Sequence, residues 1–260
     1  MTTREVLEAF LTPPKLPELT REAELRAGSI STRLRLGKAG FARGGGEEIA
    51  VYNWGAGRPV LLVHGWGGRA TNFAAFLGPM NAAGLGVVAF DAPAHGQSTG
   101  TLSSGPAFAA AIEAVEEQQG PFHAIVAHSL GALASTCALG RRVRVGKVVY
   151  LGACCWVEPL LTEFIKPFEL AEEVRRELWR ISAGEFGLTE ISAEVVAPQL
   201  GDTAAILMHD PDDTEMPFSH SAALADAWPN GLLLPTPNVG HRRILRARSI
   251  IERTLEHIAT

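Results

Sequence analysis

Cysteine is scarce in this chain of 260 residues: there are three, Cys137, Cys154 and Cys155, and two are adjacent. An odd number so spaced makes neither a disulfide framework nor a CxxC metal knuckle. Cys137 and Cys154 are read instead as buried fillers. A surplus of positive charge is also missing. Lys plus Arg number 23 against 28 Asp plus Glu, a net charge of -5, so nothing in the composition advertises a nucleic acid or an anionic membrane as partner. No apolar run is long and uncharged enough to cross a bilayer. The first 24 residues are charged and broken by Pro13, Pro14 and Pro17, unlike a secretory signal. Internal repeats and low-complexity segments are lacking too. The expectation is a cytoplasmic protein without membrane or nucleic-acid partners.

Hydrophobic residues make up 47% and charged residues 20%, the balance of an ordinary folded protein, and the length suits one large domain. Residues 4 to 11 suggest a short helix stopped by the prolines. Ser31–Leu36 and Glu48–Trp54 read as strands joined through Gly44, Gly45 and Gly46, an antiparallel entry into a sheet. From residue 59 continuous apolar strands alternate with helical patterns. Pro59–Val63, Leu85–Phe90, Phe122–Val126, Val145–Leu151, Thr203–Met208 and Gly231–Leu234 are the strands. Asn72–Ala83, Pro106–Gln119, a stretch after Ser129, Ser219–Ala227 and the C-terminus are the helices. This rhythm specifies a mostly parallel sheet covered on both faces. It breaks over residues 156–201, where Ala171, Val174, Leu178 and Ile181 form one apolar stripe and Gly184 is a plausible stop. Leu188–Leu200 suggests a second helix. The insert is read as a small helical cap within a single domain spanning residues 1–260.

Between strand and helix, Ala127-His128-Ser129-Leu130-Gly131 matches a G-x-S-x-G nucleophile elbow with Ala127 in place of the first glycine. A serine hydroxyl is a weak nucleophile until a base accepts its proton and a carboxylate orients that base. Both partners follow in the order Ser, acid, His, each just past a strand, and strand ends converge at one edge of a parallel sheet. His241, after Gly240 in the last loop, is the preferred base. Asp210, Asp212 and Asp213 crowd one loop; Asp213 is the preferred acid, followed by Asp210. The backbone N–H groups of Leu130 and Trp66 are the expected oxyanion donors, with Gly65, Gly67 and Gly68 permitting close approach. His64 and His128 are expected to orient loops, and Asp91 and His95 to tie together the turn after Phe90. Trp66, Phe73, Trp156 and Met216 are expected to make the pocket apolar. No cofactor is expected, since neither G-x-G-x-x-G nor a P-loop run is present. No metal is expected either: a site of His64, His95 and Asp91 lacks H-E-x-x-H spacing.

These motifs together resemble the α/β-hydrolase superfamily. The matching stretches are His64-Gly65-Trp66-Gly67-Gly68, Asp91 with His95-Gly96 and Ser98, the Ser129 elbow, His209 to Asp213 with Met216-Pro217, and Gly240-His241. They cover essentially residues 50 to 258. In the family's H-G-x-x-D-x-x-V-P stretch the acid falls on Asp213, and Asp210 takes the place of the glycine. The resemblance implies an α/β-hydrolase fold and a carboxylesterase-like enzyme acting on a small to medium ester or thioester through Ser129, His241 and Asp213. C–C bond cleavage or acyl transfer on the same triad, and a catalytically silent binding module, are the alternatives. Ser129 speaks against the dehalogenase branch, whose nucleophile is an aspartate.

Overall fold

A computed structural model of the protein describes residues 2–37, 48–188 and 192–259. Its strands are β1 (Ile30–Arg35), β2 (Glu48–Trp54), β3 (Arg58–Val63), β4 (Leu85–Asp91), β5 (Ala124–His128), β6 (Lys147–Leu151), β7 (Ala204–His209) and β8 (Gly231–Pro235). They form one sheet in the order β1-β2-β4-β3-β5-β6-β7-β8. The β1–β2 and β2–β4 pairs are antiparallel and all later pairs parallel. The antiparallel entry is therefore as expected, although Gly44–Gly46 fall outside the described residues.

Side-chain alternation divides each central strand between two cores. Leu61, Val63, Ile125 and Ala127 point into one core, and Val60, Leu62, Ala124 and Val126 into the other. Residues apolar on both sides leave no face for water, so helices must cover both. Helices α1 (Thr3–Leu11), α2 (Thr20–Ala27), α3 (Ala74–Ala82), α4 (Gly105–Gln119) and α5 (Leu130–Arg141) precede β6. Three more, α6 (Glu158–Ile165), α7 (Glu172–Phe186) and α8 (Ala193–Val196), lie between β6 and β7. The last two are α9 (Phe218–Ala227) and α10 (Arg248–Ala259). The first core takes Val6, Leu7 and Leu11 of α1 together with α4 and α5, while α3 and α10 fill the second.

The insert departs from expectation in detail. α7 runs past Gly184 and stops at Gly187, which adopts the left-handed conformation (φ 61°) that ends a helix without Cβ strain. α6 was not anticipated: its apolar residues Leu160, Leu161, Phe164 and Ile165 fall in a run of only eight residues, too short to show a sustained helical period. Of the expected helix over 188–200, residues 189–191 lie outside the described residues, and the rest forms the four residues of α8 and the 3-10 turn Ala197–Gln199.

Helix α5 starts hard against the sheet. A Cβ on Gly131 would lie 2.6 Å from the His64 carbonyl oxygen and 2.7 Å from that of Val63. Backbone cannot yield as a side chain can, so Gly131→Val is expected to lower stability by roughly 2–3 kcal/mol through overpacking. Urea unfolding would show it as a lower midpoint with an unchanged slope.

Candidate active site

Strand β5 ends at His128 and α5 begins at Leu130, which leaves Ser129 alone to turn the corner. It does so at φ 53°, ψ −122°, a region that non-glycine residues seldom occupy. The turn is clamped by its own backbone: the Ser129 N–H donates to the Leu151 carbonyl (3.0 Å), and the Ser129 carbonyl accepts from Cys154 N–H (3.1 Å). Fully buried Ala127 takes the family glycine's place without disturbing the corner. The loop after β3 lies directly on it. A Cβ on Gly65 would approach the Ser129 Cβ to 2.8 Å, so only glycine lets that loop come so close. Leu130 is the first residue of α5, and the N–H groups there have no intrahelical partner. Trp66 follows Gly65 in the loop that rests on the elbow.

The histidine and acid meet at the same sheet edge. His241 Nδ1–H donates to Asp213 Oδ2 at 2.7 Å, leaving Nε2 with its lone pair. The other Asp213 oxygen accepts from the N–H groups of Glu215 (2.8 Å) and Met216 (3.0 Å). Burial by itself would raise the Asp213 carboxyl. The hydrogen bonds from His209, His241 and Met216 outweigh it and hold the group well below the usual carboxylate range. Asp210 is turned elsewhere, accepting from the N–H of Gly240 (2.6 Å) and of Asp212 (3.1 Å). It therefore shapes the loop that carries His241 and does not compete for the imidazole. His128 braces the same loop, donating from Nε2 to the His241 carbonyl at 2.9 Å with the two rings 4.6 Å apart. Among the described residues no hydrogen bond joins the Ser129 hydroxyl to His241. In free enzymes that contact is often long and tightens when substrate binds.

A second Ser-His-Asp chain shares the same carboxylate. The Ser221 hydroxyl donates to His209 Nδ1 at 2.7 Å, and His209 Nε2–H points between the Met216 carbonyl (3.0 Å) and Asp213 Oδ2 (3.2 Å). Ser221 and His209 are each wholly inaccessible, and Ser221 sits inside α9 on ordinary helical backbone. No carbonyl can reach that hydroxyl. The arrangement serves to hold Asp213, and spacing in the sequence gave no hint of it.

A family model described as "Alpha/beta hydrolase family" matches residues 60–252. The chain belongs to this family. Solved structures repeat the fold at low identity. An esterase from Exiguobacterium antarcticum is 17% identical with a TM-score of 0.68, over 88% of this chain and 99% of that one. Est1E from Butyrivibrio proteoclasticus, solved with ferulic acid, is 17% identical with a TM-score of 0.63, over 82% and 96%. A bromoperoxidase from Bacillus anthracis is 19% identical with a TM-score of 0.66, over 88% and 100%.

Other polar residues of this α/β-hydrolase hold its loops. Asp91 accepts from the N–H groups of Ala70 and Gln97 and from the Tyr52 hydroxyl. His95 donates to the Pro93 carbonyl (2.9 Å) and accepts from Gly67 N–H (3.1 Å). His64 donates to the Gly65 carbonyl (2.7 Å) and accepts from Ala92 N–H (3.0 Å). With these lone pairs engaged, His64, His95 and Asp91 do not converge on a cation site, and no metal-binding cluster occurs among the described residues. Nor is any helix there long and apolar enough to cross a membrane. All three cysteines are free and buried, and burial pushes the Cys137 thiol up to about 12.

Burial also pushes His64 down to about 4 and His95 and His128 down to about 3. Unfolded, each would titrate near its ordinary value of about 6.5. The unfolded chain thus binds protons first as pH falls. The stabilisation is complete above that value and is lost on acidification toward pH 4, by up to about 1.4 kcal/mol per pH unit for each histidine. We expect Tm to fall steeply between pH 6.5 and 4.5, with calorimetry the direct check. A flat profile would mean that these rings are not buried neutral.

A cavity of about 1230 Å³ opens over the elbow, with Ser129, His241, Gly65, Trp66, Leu130 and Met216 in its wall. Two expected pocket residues lie elsewhere. Phe73 is fully buried in the second core, edge-on to Phe76 at 5.7 Å. It closes the short 3-10 turn Ala70–Phe73 and is not part of the cavity wall. Trp156 packs on His220 at 4.8 Å, held by an isolated bridge to Ser192. Residues that the sequence did not single out complete the wall: Val157, Leu160 and Phe164 from the insert, and Phe10 and Leu16 from the N-terminal segment.

Proposed function

We propose that this α/β-hydrolase is a serine hydrolase that cleaves a carboxylic ester or thioester through Ser129, His241 and Asp213. The observation that carries the reading is the strained corner at Ser129, set in the wall of the cavity that the Asp213-bound His241 also lines. In this reading Asp213 keeps His241 in the Nδ1–H tautomer. His241 Nε2 takes the proton from Ser129 Oγ as it attacks the carbonyl carbon. The N–H groups of Leu130 and Trp66 receive the developing oxyanion. His241 then hands its proton to the departing alcohol or thiol, leaving an acyl-serine. Water, deprotonated by His241, attacks that acyl group and releases the acid. Residues 156–201 act as a cap, a reading supported by Val157, Leu160, Glu163 and Phe164 in the cavity wall. Turnover of p-nitrophenyl acetate, butyrate and octanoate is the test. Hydrolysis of one or more above the no-enzyme rate is expected. Failure of all three in folded protein would favour C–C cleavage or acyl transfer.

A further inference from the structure

The family match begins at residue 60, yet a long part of the cavity wall lies far upstream of it. Helix α1 and the segment that follows it form a strap across the loop carrying Trp66. At one end the Leu11 carbonyl accepts from Ser103 N–H at 2.8 Å. Pro14 lies on Gly67, whose positive φ of 69° and missing side chain make room: a Cβ there would come within 2.7 Å of the Pro14 ring. Arg69 donates to the Leu16 carbonyl and is paired with Glu22 at 3.8 Å, both side chains being largely buried. At the other side Phe10 packs edge-on against Phe164 of α6 at 5.3 Å, and Arg4 pairs with Glu185 of α7 at 2.9 Å. The strap is thereby tied to the loop after β3, to the loop after β4 and to the insert.

Leu16 and Leu19 are 55% and 50% exposed, yet both line the cavity. Large apolar side chains left open at a cavity mouth, on a segment that is firmly anchored, are what an apolar ligand would cover. Phe10, Leu25 and Phe164 continue the same surface inward. The nearest buried cation, Arg69, is already neutralised by Glu22 and offers no anion site. A cavity of about 1230 Å³ is also far larger than an acetyl group requires.

We infer that the strap, through Phe10, Leu16 and Leu19, is the specificity wall of the enzyme, selecting esters whose acyl group is an extended alkyl chain of octanoyl size over short acyl esters. This rests on the serine-hydrolase reading above. Leu16→Trp narrows the wall at an exposed position that does not support the core. The octanoate-to-acetate ratio of kcat/KM for p-nitrophenyl esters is expected to fall about tenfold, as befits a few methylenes denied their contacts. Phe10→Ala should shift the ratio as well, while Ile30→Trp, exposed on β1 and outside the cavity, should leave it unchanged. Displacement of the dye 1-anilinonaphthalene-8-sulfonate by p-nitrophenyl octyl ether, measured on Ser129→Ala with and without Leu16→Trp, reads binding without turnover. Weaker displacement by the ether in the double variant supports the wall even if esters prove not to be the substrates. An unchanged ratio together with unchanged displacement would overturn it. If binding responds but no ester is hydrolysed, the hydrolase reading fails and the apolar wall stands.

Discussion

Ser129→Ala is expected to lower kcat for p-nitrophenyl ester hydrolysis by about 10^4- to 10^6-fold, the loss that removal of a triad nucleophile produces. Ser221→Ala should stay within about tenfold of the parent and lose roughly 1–3 kcal/mol of stability, the cost of leaving the buried His209 Nδ1 without its donor. The contrast matters because both serines belong to a Ser-His-Asp chain ending on Asp213. The two chains differ in access and in backbone. Ser129 turns a strained corner at a cavity wall, whereas Ser221 is sealed inside α9 and donates its hydrogen bond to a histidine that is itself inaccessible. Steady-state kinetics on both variants, with Tm as a check on folding, separates them. Equal losses in the two would refute the assignment.

Asp213→Asn should cost about 10^4-fold in kcat. Asparagine fills the same space, but its amide can present N–H to the imidazole and hold His241 in the wrong tautomer. Asp210→Asn is expected to be mild by comparison, because Asp210 contacts only the backbone N–H groups of its own turn and of the His241 loop. The neighbouring positions thus test whether the acid is chosen by geometry. The depressed Asp213 carboxyl also means that acid loss of activity should not follow protonation of that acid. A larger effect at Asp210 than at Asp213 would reverse the two carboxylates.

The parts of this molecule that a linear pattern encodes were legible. Apolar strands leading into His64, Ser129 and Asp210 are local signals, and a parallel sheet delivers their ends to one edge. The glycine at 65 was legible as a close approach, and it proves to abut the elbow itself. Features that depend on where distant segments dock were not. Phe73 and Trp156 follow site loops in sequence, yet packing on Phe76 in the second core and a contact with His220 take them out of the cavity wall. Leu16 carries no motif, and only the anchoring of the strap by Gly67, Arg69 and Ser103 brings it over the loop that carries Trp66. His209 and Ser221 are twelve residues apart on a strand and a helix, and neither spacing nor residue type announces that they support Asp213.

The most direct test is to react the intact protein with a fluorophosphonate and locate the adduct by peptide mass spectrometry. A single phosphonylated residue at Ser129, formed in the parent and absent in Ser129→Ala and slowed in His241→Ala, is the predicted result. An adduct on Ser221, or none at all in folded protein, would contradict an activated Ser129.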